Sequence, residues 1–283
     1  MTDDTKVLTV ITPVYNGARH IERCARNVLD QDCPGVEHLV IDGGSDDGTV
    51  ELLDQLGRQI PTLRWLSEPD RGQSDAMNKG HTLARGRIIG VLNADDYYEP
   101  GVLRRIIELF QASPDIERFI GACNVREPSG AITYVNRPRI TAVPGLLMGF
   151  PHPVNPTAYF YRASVSARVG GFDVDDHYSM DIDFLYRALA AVRVRYVDEV
   201  WGNFVTWPEA KTTQDKAAKK ASTRVRQIHK RYLSTLPNRQ RLMVMMARPV
   251  VVLTRKTVNS ILRPRDTLKR YMGKIAQASG FNS

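Results

Sequence analysis

The first hundred residues of this 283-residue chain alternate short apolar runs with amphipathic segments, and this alternation restricts the fold more than any other feature. The apolar runs are rich in β-branched residues, as buried strands are. Between the first two runs, Ile21, Cys24 and Val28 recur at helical spacing. Strand, loop and helix repeated in this order predict a right-handed, doubly wound α/β fold with a mostly parallel central sheet flanked by helices. The predicted strands are KVLTVI, VEHLVI, TLRWL and RIIGVL.

Each predicted strand is followed by a polar cluster rich in Gly, Asp, Asn or Pro. Ligands of doubly wound sheets bind beyond the carboxyl ends of the strands, where these clusters would meet. The alternative is that such residues only form the turns between elements. Four clusters at one edge favour a ligand site. They are TPVYNG, DGGSDDG, EPDRG and NADD.

The last of these clusters places two adjacent carboxylates, Asp95 and Asp96, directly after a buried strand. They can cap the helix that Pro100 and Gly101 help to start. They can also hold Mg²⁺ or Mn²⁺, which take one or two carboxylates and complete their shell with water and substrate phosphates. A single cap does not need two acids and Asn93, so we predict a divalent metal at Asp95 and Asp96.

The ordered motifs resemble those of family-2 glycosyltransferases, which have the GT-A fold. The donor-binding half is matched by TPVYNG, IDGGSDDGT, EPDRG with AMNKG, and LNADD; GGFD and MDID are similar to the acceptor half. The resemblance covers roughly residues 6–205. It implies a GT-A catalytic domain over residues 1–212, followed by a basic helical extension over 213–283.

The resemblance implies that the matching positions bind a nucleotide sugar, with UDP as the expected nucleotide. Asp42 resembles the acid that hydrogen-bonds uracil, and Pro13 and Tyr15 match the loop that packs on base and ribose. Met77 stands where many members carry an arginine that contacts the nucleotide. The remaining donor candidates are Arg71, Asp75, Asn93, Ala94 and Asp95.

NADD resembles the metal-binding DXD region of the family. Asn93 occupies a position where an Asp is common. The resemblance therefore implies that Asp95 and Asp96 carry the Mn²⁺ or Mg²⁺.

MDID matches the acidic catalytic motif of the family, which implies that Asp181 is the catalytic base. A sugar hydroxyl is a poor nucleophile, and a positioned carboxylate can remove its proton as it attacks the anomeric carbon. One attack from the face opposite the leaving diphosphate inverts the anomeric centre. The alternative for Asp181 and Asp183 is helix N-capping, which we expect of Asp183.

Three further residues are weaker candidates for contacts with the acceptor or the diphosphate. Trp207 and Lys211 lie where the family has a mobile loop over the donor, and His152 is near the acceptor-side motifs. Each has an ordinary alternative as a core Trp, a solvated Lys or a structural His.

The charge of the chain is distributed unevenly along its length. The net charge is +8, but residues 215–283 hold 17 Lys and Arg against two acids, and the rest is acidic. This basic, partly apolar segment predicts either helices on an anionic membrane surface or helices packed on the catalytic domain or a second subunit. Nucleic acid is a weaker reading, because the segment has few aromatics and no binding motif.

The composition and the absence of two nucleotide-binding motifs indicate the cellular location and disfavour some classes of enzyme. Three scattered cysteines, an acidic start and no spanning-length apolar stretch lead us to expect a cytoplasmic protein, peripheral at the inner membrane face if it meets a membrane. The chain has neither a P-loop lysine motif nor a GxGxxG, which disfavours ATP and NAD.

The predicted function is inverting, metal-dependent transfer of a sugar from a nucleotide diphosphate to a hydroxyl of a glycan or lipid-linked acceptor, in the synthesis of a surface polysaccharide or glycolipid. The alternatives are a sugar nucleotidyltransferase and a non-catalytic protein that binds sugar nucleotides or membranes.

Overall fold

The computed structural model describes residues 6–208 and 215–262 of the chain. The predicted domain boundary between residues 212 and 213 lies outside these ranges. The described strands are β1 (Leu8–Val14), β2 (Val36–Asp42), β3 (Leu63–Ser67), β4 (Ile88–Val91), β5 (Tyr97–Tyr98), β6 (Arg118–Arg126), β7 (Ile132–Asn136), β8 (Tyr159–Arg162) and β9 (Val194–Val205). The described helices are α1 (Ala18–Leu29), α2 (Thr49–Gln59), α3 (Gln73–Leu83), α4 (Val102–Ala112), α5 (Val143–Met148), α6 (Ala163–Val169), α7 (Met180–Ala191), α8 (Asp215–Thr235) and α9 (Asn238–Leu262).

Within the described ranges, the strands form one mixed sheet in the order β3-β2-β1-β4-β8-β6-β9-β5, with β7 paired to β6. The four strands predicted from the sequence are parallel to one another. Antiparallel pairing begins at β8, which lies between β4 and β6. The predicted mostly parallel sheet is therefore confirmed for the first half, and the second half is mixed.

Both faces of the parallel half are covered by helices, as continuous apolar strands require. In β2, Val40 packs into the cluster formed with α1 and α2, whereas Leu39 and Ile41 pack with Ala76 of α3 on the other face. This alternation fixes the register of the strand. Since helices cover both faces of the sheet, a ligand can reach it at the carboxyl edge, where the loops lie.

The prolines of the segment PGLLMGFPHPVNP predict a loop, but the segment contains part of a helix, so this prediction is wrong in part. Helix α5 begins with Pro144 in its first turn, where a missing backbone N–H costs little. It ends at Gly149, whose φ of +91° is the left-handed conformation that favours glycine. Its six residues are too few to display a helical period.

The helical C-terminal prediction is confirmed, and one face of each helix packs on the second half of the domain. Ile228 of α8 and Val244 of α9 are buried in the large cluster that α7 contributes to. Arg231 of α8 pairs with Asp183, and Arg224 pairs with Asp173 and Asp176. Among the described residues, no helix has the length and apolar character needed to cross a bilayer.

We expect Gly121→Ala to lower the free energy of unfolding by about 1–3 kcal/mol, the usual cost of overpacking a core. A Cβ at Gly121 would lie 2.4 Å from Cδ2 of the buried Trp201 ring, which has no room to move. Gly145→Ala is the matched control, because its nearest neighbour would lie at an ordinary 3.5 Å. Urea unfolding of both variants tests this, and equal midpoints for the two would contradict it.

Candidate active site

The polar clusters that follow the first two strands are tied together in space. The backbone N–H of Asn16 donates to Ser45 Oγ at 2.8 Å, and the N–H of Asp46 donates to Asn16 Oδ1 at 3.1 Å. The N–H of Gly17 donates to Thr49 Oγ1 at 3.0 Å. These bonds join the TPVYNG and DGGSDDG loops at the carboxyl edge of the sheet, as the sequence predicted.

Asp42 organises the second of these loops. It is fully buried, and its carboxylate accepts hydrogen bonds from the N–H groups of Gly44 and Ser45 at 3.0 Å each. The hydroxyls of Ser45 and Ser67 also donate to it. The structure thus gives Asp42 a loop-holding role, and its contact with uracil stays a prediction.

Pro13 and Tyr15, the two candidates for packing on the base and ribose, differ in accessibility. Pro13 is buried within β1, opposite Ile41 of β2. Tyr15 is 65% exposed at the edge of the sheet, so its ring is free to meet a planar ligand. Of the two, Tyr15 is the residue that the structure leaves available for stacking.

Asp95 and Asp96 are adjacent in sequence but differ in environment. Asp96 is fully buried, and its carboxylate accepts hydrogen bonds from Asn93 Nδ2 at 2.9 Å, Asn155 Nδ2 at 2.7 Å and the N–H of Val205 at 3.0 Å. Asp95 is only partly buried. Asp96 therefore holds the fourth loop to the end of β9, while Asp95 is the more open carboxylate.

The pKa values of both carboxyls respond to this placement. Burial is the main cause that raises the pKa of Asp96, followed by the charge of Asp95. Burial also raises the pKa of Asp95, whereas the nearby His20 and Arg23 lower it. A bound cation would favour the ionised form of either group.

Trp207 lies against the start of α1, on the same side as Asp95. Its ring centroid is 5.0 Å from that of His20, and the Arg19 guanidinium lies 4.7 Å from it. Trp207 is thus partly exposed instead of in the core, and it lies beside the carboxyl edge of the sheet, where the candidate donor residues are. We call this the donor edge. Lys211, the other predicted loop residue, lies outside the described residues.

The EPDRG loop leads into α3 through a turn that Asp75 stabilises. The N–H of Arg71 donates to Asp75 Oδ2 at 3.1 Å, and Lys79 Nζ lies 3.8 Å from the same oxygen. The side chain of Arg71 is exposed. Asp75 therefore shapes the loop, and Arg71 is the member of this pair that is open to a ligand.

The remaining donor candidates, Asn93 and Ala94, lie in the fourth loop. Asn93 Oδ1 accepts from Gln73 Nε2 at 3.1 Å, and its amide nitrogen donates to Asp96. Ala94 is partly buried against the cluster of α1 and α2. Both side chains are thus engaged within the protein.

Helix α3 connects this donor edge to the acceptor half. Gln73 bonds to Asn93, and the next residue, Ser74, contacts Met180 Sδ and the carbonyl of Asp176. One turn later, Asn78 donates to the Phe172 carbonyl at 2.9 Å and accepts from its N–H at 2.7 Å. The AMNKG motif is therefore clamped directly to the GGFD motif.

Asp181 follows Met180 in the first turn of α7, and so lies close to this junction. Its Oδ1 accepts from the N–H of Ile182 at 2.8 Å, and the side chain is partly exposed. Burial raises the pKa of Asp181, and the neighbouring Asp176 carboxylate raises it further. A carboxyl with a raised pKa is a stronger base once ionised.

The expectation that Asp183 caps α7 was wrong. No side chain caps this helix at its N-cap residue, Ser179. Asp183 instead accepts from Arg187 Nε at 2.8 Å and pairs with Arg231 of α8. Its role is to hold α8, and the sequence could not reveal this because Arg231 lies 48 residues away.

His152 lies on the side of the C-terminal helices. Burial, with the charges of Arg255 and His229, lowers the pKa of His152 to about 4. The imidazole is therefore neutral at pH 7. A contact with an acceptor stays a prediction for this residue.

The sequence analysis missed two residues that organise the site, Gln73 and Asn155. Gln73 is the first residue of α3, directly after the EPDRG loop, and this position could have marked it. Asn155 bonds both Asp96 and the N–H of Thr157. Only the folded chain brings Asn155 to the fourth loop, so no local signal pointed to it.

The candidate metal ligands at the carboxyl edge of the sheet are Asp95 and Asp96. Among the described residues, no three His, Cys, Asp or Glu side chains are grouped to hold an ion. A Mg²⁺ or Mn²⁺ that shares its shell between one open carboxylate and a diphosphate needs no such group. Asp95 fits this kind of site, since its carboxylate is partly open.

Comparison with known proteins decides the family. The model of Glycosyl transferase family 2 matches residues 9–139. An uncharacterized glycosyltransferase of Mycobacterium tuberculosis is 31% identical over 191 residues, which cover 64% of this chain and 68% of that protein. The chain belongs to glycosyl transferase family 2. Some other curated relatives, among them an uncharacterized glycosyltransferase of Nostoc, are matched over a third of their own length or less.

Solved structures agree with this assignment at the level of the fold. The structure of Staphylococcus aureus TarS 1–349 in complex with UDP aligns with a TM-score of 0.66 at 16% identity, covering 91% of this chain and 75% of that one. The mannosyltransferase PcManGT from Pyrobaculum calidifontis, in complex with GDP-Man and Mn²⁺, aligns at 0.60 and 19% identity, covering 94% and 84%. The predicted GT-A fold is thereby confirmed, and this family-2 member is a glycosyltransferase.

Proposed function

We propose that this glycosyltransferase moves a sugar from a UDP-sugar to a hydroxyl of a glycan or lipid-linked acceptor, with inversion and with a divalent metal. One observation carries the proposal. The adjacent Gln73 and Ser74 bond to both halves, and so bring the loop of the open Asp95 carboxylate close to the helix start that bears Asp181. A metal-binding carboxylate and a general base near one another are what sugar transfer requires.

On the donor side, we assign Asp95 to the metal and Asp96 to positioning. Asp96 already accepts three hydrogen bonds within the protein, which leaves its carboxylate poorly suited to an ion. When bound, Mn²⁺ or Mg²⁺ would neutralise charge on the diphosphate. Mn²⁺ accompanies the nucleotide sugar in the mannosyltransferase structure, which supports this proposal.

For the nucleotide, we assign Tyr15, Arg71 and Trp207 as contacts. The ring of Tyr15 is exposed beside the Asp42 loop, and the side chain of Arg71 is exposed beyond the neighbouring strand. Trp207 is close to His20, whose charge acts on Asp95. UDP is proposed as the nucleotide because TarS, a neighbour in fold, is described with UDP.

On the acceptor side, Asp181 removes the proton of the attacking hydroxyl. The N–H of Ile182 holds one carboxylate oxygen, which fixes the orientation of the group. Asp176, which accepts from the N–H groups of Tyr178 and Ser179, holds the turn before the helix. Since the side chain of Asp181 is partly exposed, an acceptor can reach it.

A thermal-shift screen tests the donor assignment. UDP should raise the melting temperature more than GDP, ADP or CMP, and the shift should be larger in Mn²⁺ than in EDTA, because ligands that bind the native state stabilise it. Equal shifts for all four nucleotides would contradict the choice of UDP. No shift from any nucleotide in Mn²⁺ would contradict a nucleotide site altogether.

A further inference from the structure

Helix α9 exposes apolar side chains on the face that points away from the domain. Val244 is buried, whereas Leu242, Met246 and Leu253 are 59%, 69% and 66% exposed. Spacings of four and seven residues put these three on one side of a helix. A packed surface helix normally shows the opposite arrangement, with its apolar side chains inward. The flanking exposed residues are Met243, Met245 and Val250.

The turn after α5 packs against α9. Arg255 Nη1 donates to the carbonyl of Gly149 at 2.9 Å, which fixes α9 against this turn. The next residue, Phe150, is 42% exposed. A groove of about 450 Å³ on α9 is lined by Arg248, Pro249, Val252 and Leu253. We call the outward apolar residues of α9 the α9 face.

Positive charge surrounds the α9 face. Residues 216–265 contain no Asp or Glu. Helix α9 itself carries the exposed Arg239 and Arg248 among its apolar residues, whereas the guanidinium groups of Arg241 and Arg255 are held by backbone carbonyls. The long apolar stems of Arg239 and Arg248 can lie along an apolar surface while their guanidinium groups remain in a polar layer.

A second copy of the chain or an anionic bilayer could cover the α9 face, and the positive charge favours the bilayer. A second copy would bring two segments of like sign together, each with 17 basic residues against two acids, and like charges repel. An anionic bilayer offers phosphates for the arginines and acyl chains for the apolar side chains. Each basic residue near such a surface contributes to its attraction.

We propose that the α9 face docks on the surface of an anionic lipid bilayer. The docking is independent of the proposed function. Its consequence for activity rests on that function: because α9 packs through Val244 onto the cluster that includes α7, docking would hold the Asp181 half of the enzyme near the bilayer. A lipid-linked acceptor would then be confined to the same surface as the base.

Vesicle flotation of the full-length protein tests the docking without reference to activity. The probes are phosphatidylcholine vesicles with and without phosphatidylglycerol, at low and at physiological salt. We expect flotation with phosphatidylglycerol at low salt, a weaker effect at higher salt because the charges are screened, and little with phosphatidylcholine alone. The double variant Met246→Glu, Leu253→Glu should lower the bound fraction about tenfold or more, since it places two carboxylates where acyl chains would lie.

Leu29→Glu, Ile132→Glu is the matched control. Both residues are exposed apolar side chains of the catalytic body, so this variant has the same change of charge at a different surface. It should float as the wild type does, and melting curves confirm that both variants are folded. Absence of wild-type flotation, or wild-type flotation by the α9 variant, would overturn the proposal. A wild-type dimer that the α9 variant dissociates, without flotation of either, would assign the face to a second copy instead.

Discussion

Replacing Asp181 by Asn should reduce sugar transfer by about 10²- to 10⁴-fold, the usual contribution of a general base. The amide keeps the size of the carboxyl but cannot accept the proton of the attacking hydroxyl. Asn can still accept the hydrogen bond that the N–H of Ile182 donates at 2.8 Å, so the start of α7 should keep its conformation. UDP release from a UDP-sugar gives the turnover, and calorimetry with UDP gives the affinity, which should be unchanged.

Asp183→Asn is the control for this variant, because it changes the same group two positions further along the same helix. Asp183 pairs with Arg187 and Arg231. Loss of its charge should weaken the packing of α8 on the domain and so lower the free energy of unfolding. Turnover of the folded enzyme should nevertheless remain far above that of Asp181→Asn. If Asp183→Asn abolished turnover in a folded protein while Asp181→Asn did not, the base would have to be reassigned to Asp183.

Replacing Asp95 by Ala should weaken UDP binding in Mn²⁺ by roughly tenfold or more, since the loss of a metal ligand removes more than the ~1.4 kcal/mol that a factor of ten represents. In EDTA the variant should bind UDP no more weakly than the wild type, because a carboxylate without a cation repels the diphosphate. Calorimetry in the two buffers measures this difference. A metal-dependent affinity that survives in Asp95→Ala would exclude Asp95 as the ligand.

Asp96→Asn separates the metal role from the structural role. Three donors, from Asn93, Asn155 and Val205, converge on the buried Asp96 carboxylate, and an amide nitrogen in place of one oxygen would face a donor. The free energy of unfolding should fall by about 1–3 kcal/mol, the cost of leaving a buried polar group unsatisfied. The metal dependence of UDP binding by the folded fraction should persist, in contrast to Asp95→Ala.

The parallel half of the fold could be predicted because each of its elements has a local signature. The helical spacing of Ile21, Cys24 and Val28 lies within one helix, and β1 to β4 are separate apolar runs. Strand β5 has two residues, Tyr97 and Tyr98, and depends on pairing with β9. A strand of that length has no period of its own, so its partner decides its conformation.

Candidate residues for the site could be listed from the sequence, without Gln73 and Asn155, but their roles could not all be separated. Adjacent acids such as Asp95 and Asp96 look equivalent in a motif. They differ in the structure because Asn155 and Val205 reach Asp96 from 59 and 109 residues away. Asp42 became a loop-holding residue for a similar reason, since the hydroxyl of Ser67 comes from the neighbouring strand.

The packing hypothesis for the C-terminal segment describes one face of its helices, and the membrane hypothesis stays a proposal for the other face of α9. Arg231 and Val244 are directed to the domain, which accounts for the packed side. The exposed Met246 and Leu253 have no such partner cluster among the described residues. Composition alone could not divide the helix in this way, because a basic and apolar sequence suits both environments.

A crystal structure of the protein with UDP and Mn²⁺ would test the central claim most directly. The anomalous signal of manganese locates the ion without reference to any motif. We predict a peak at the Asp95 carboxylate, with the diphosphate on the ion, the uracil against Tyr15, and the open side of the diphosphate facing Asp181. A manganese peak away from Asp95, or UDP bound elsewhere than the carboxyl edge of β1, β2 and β4, would contradict the account.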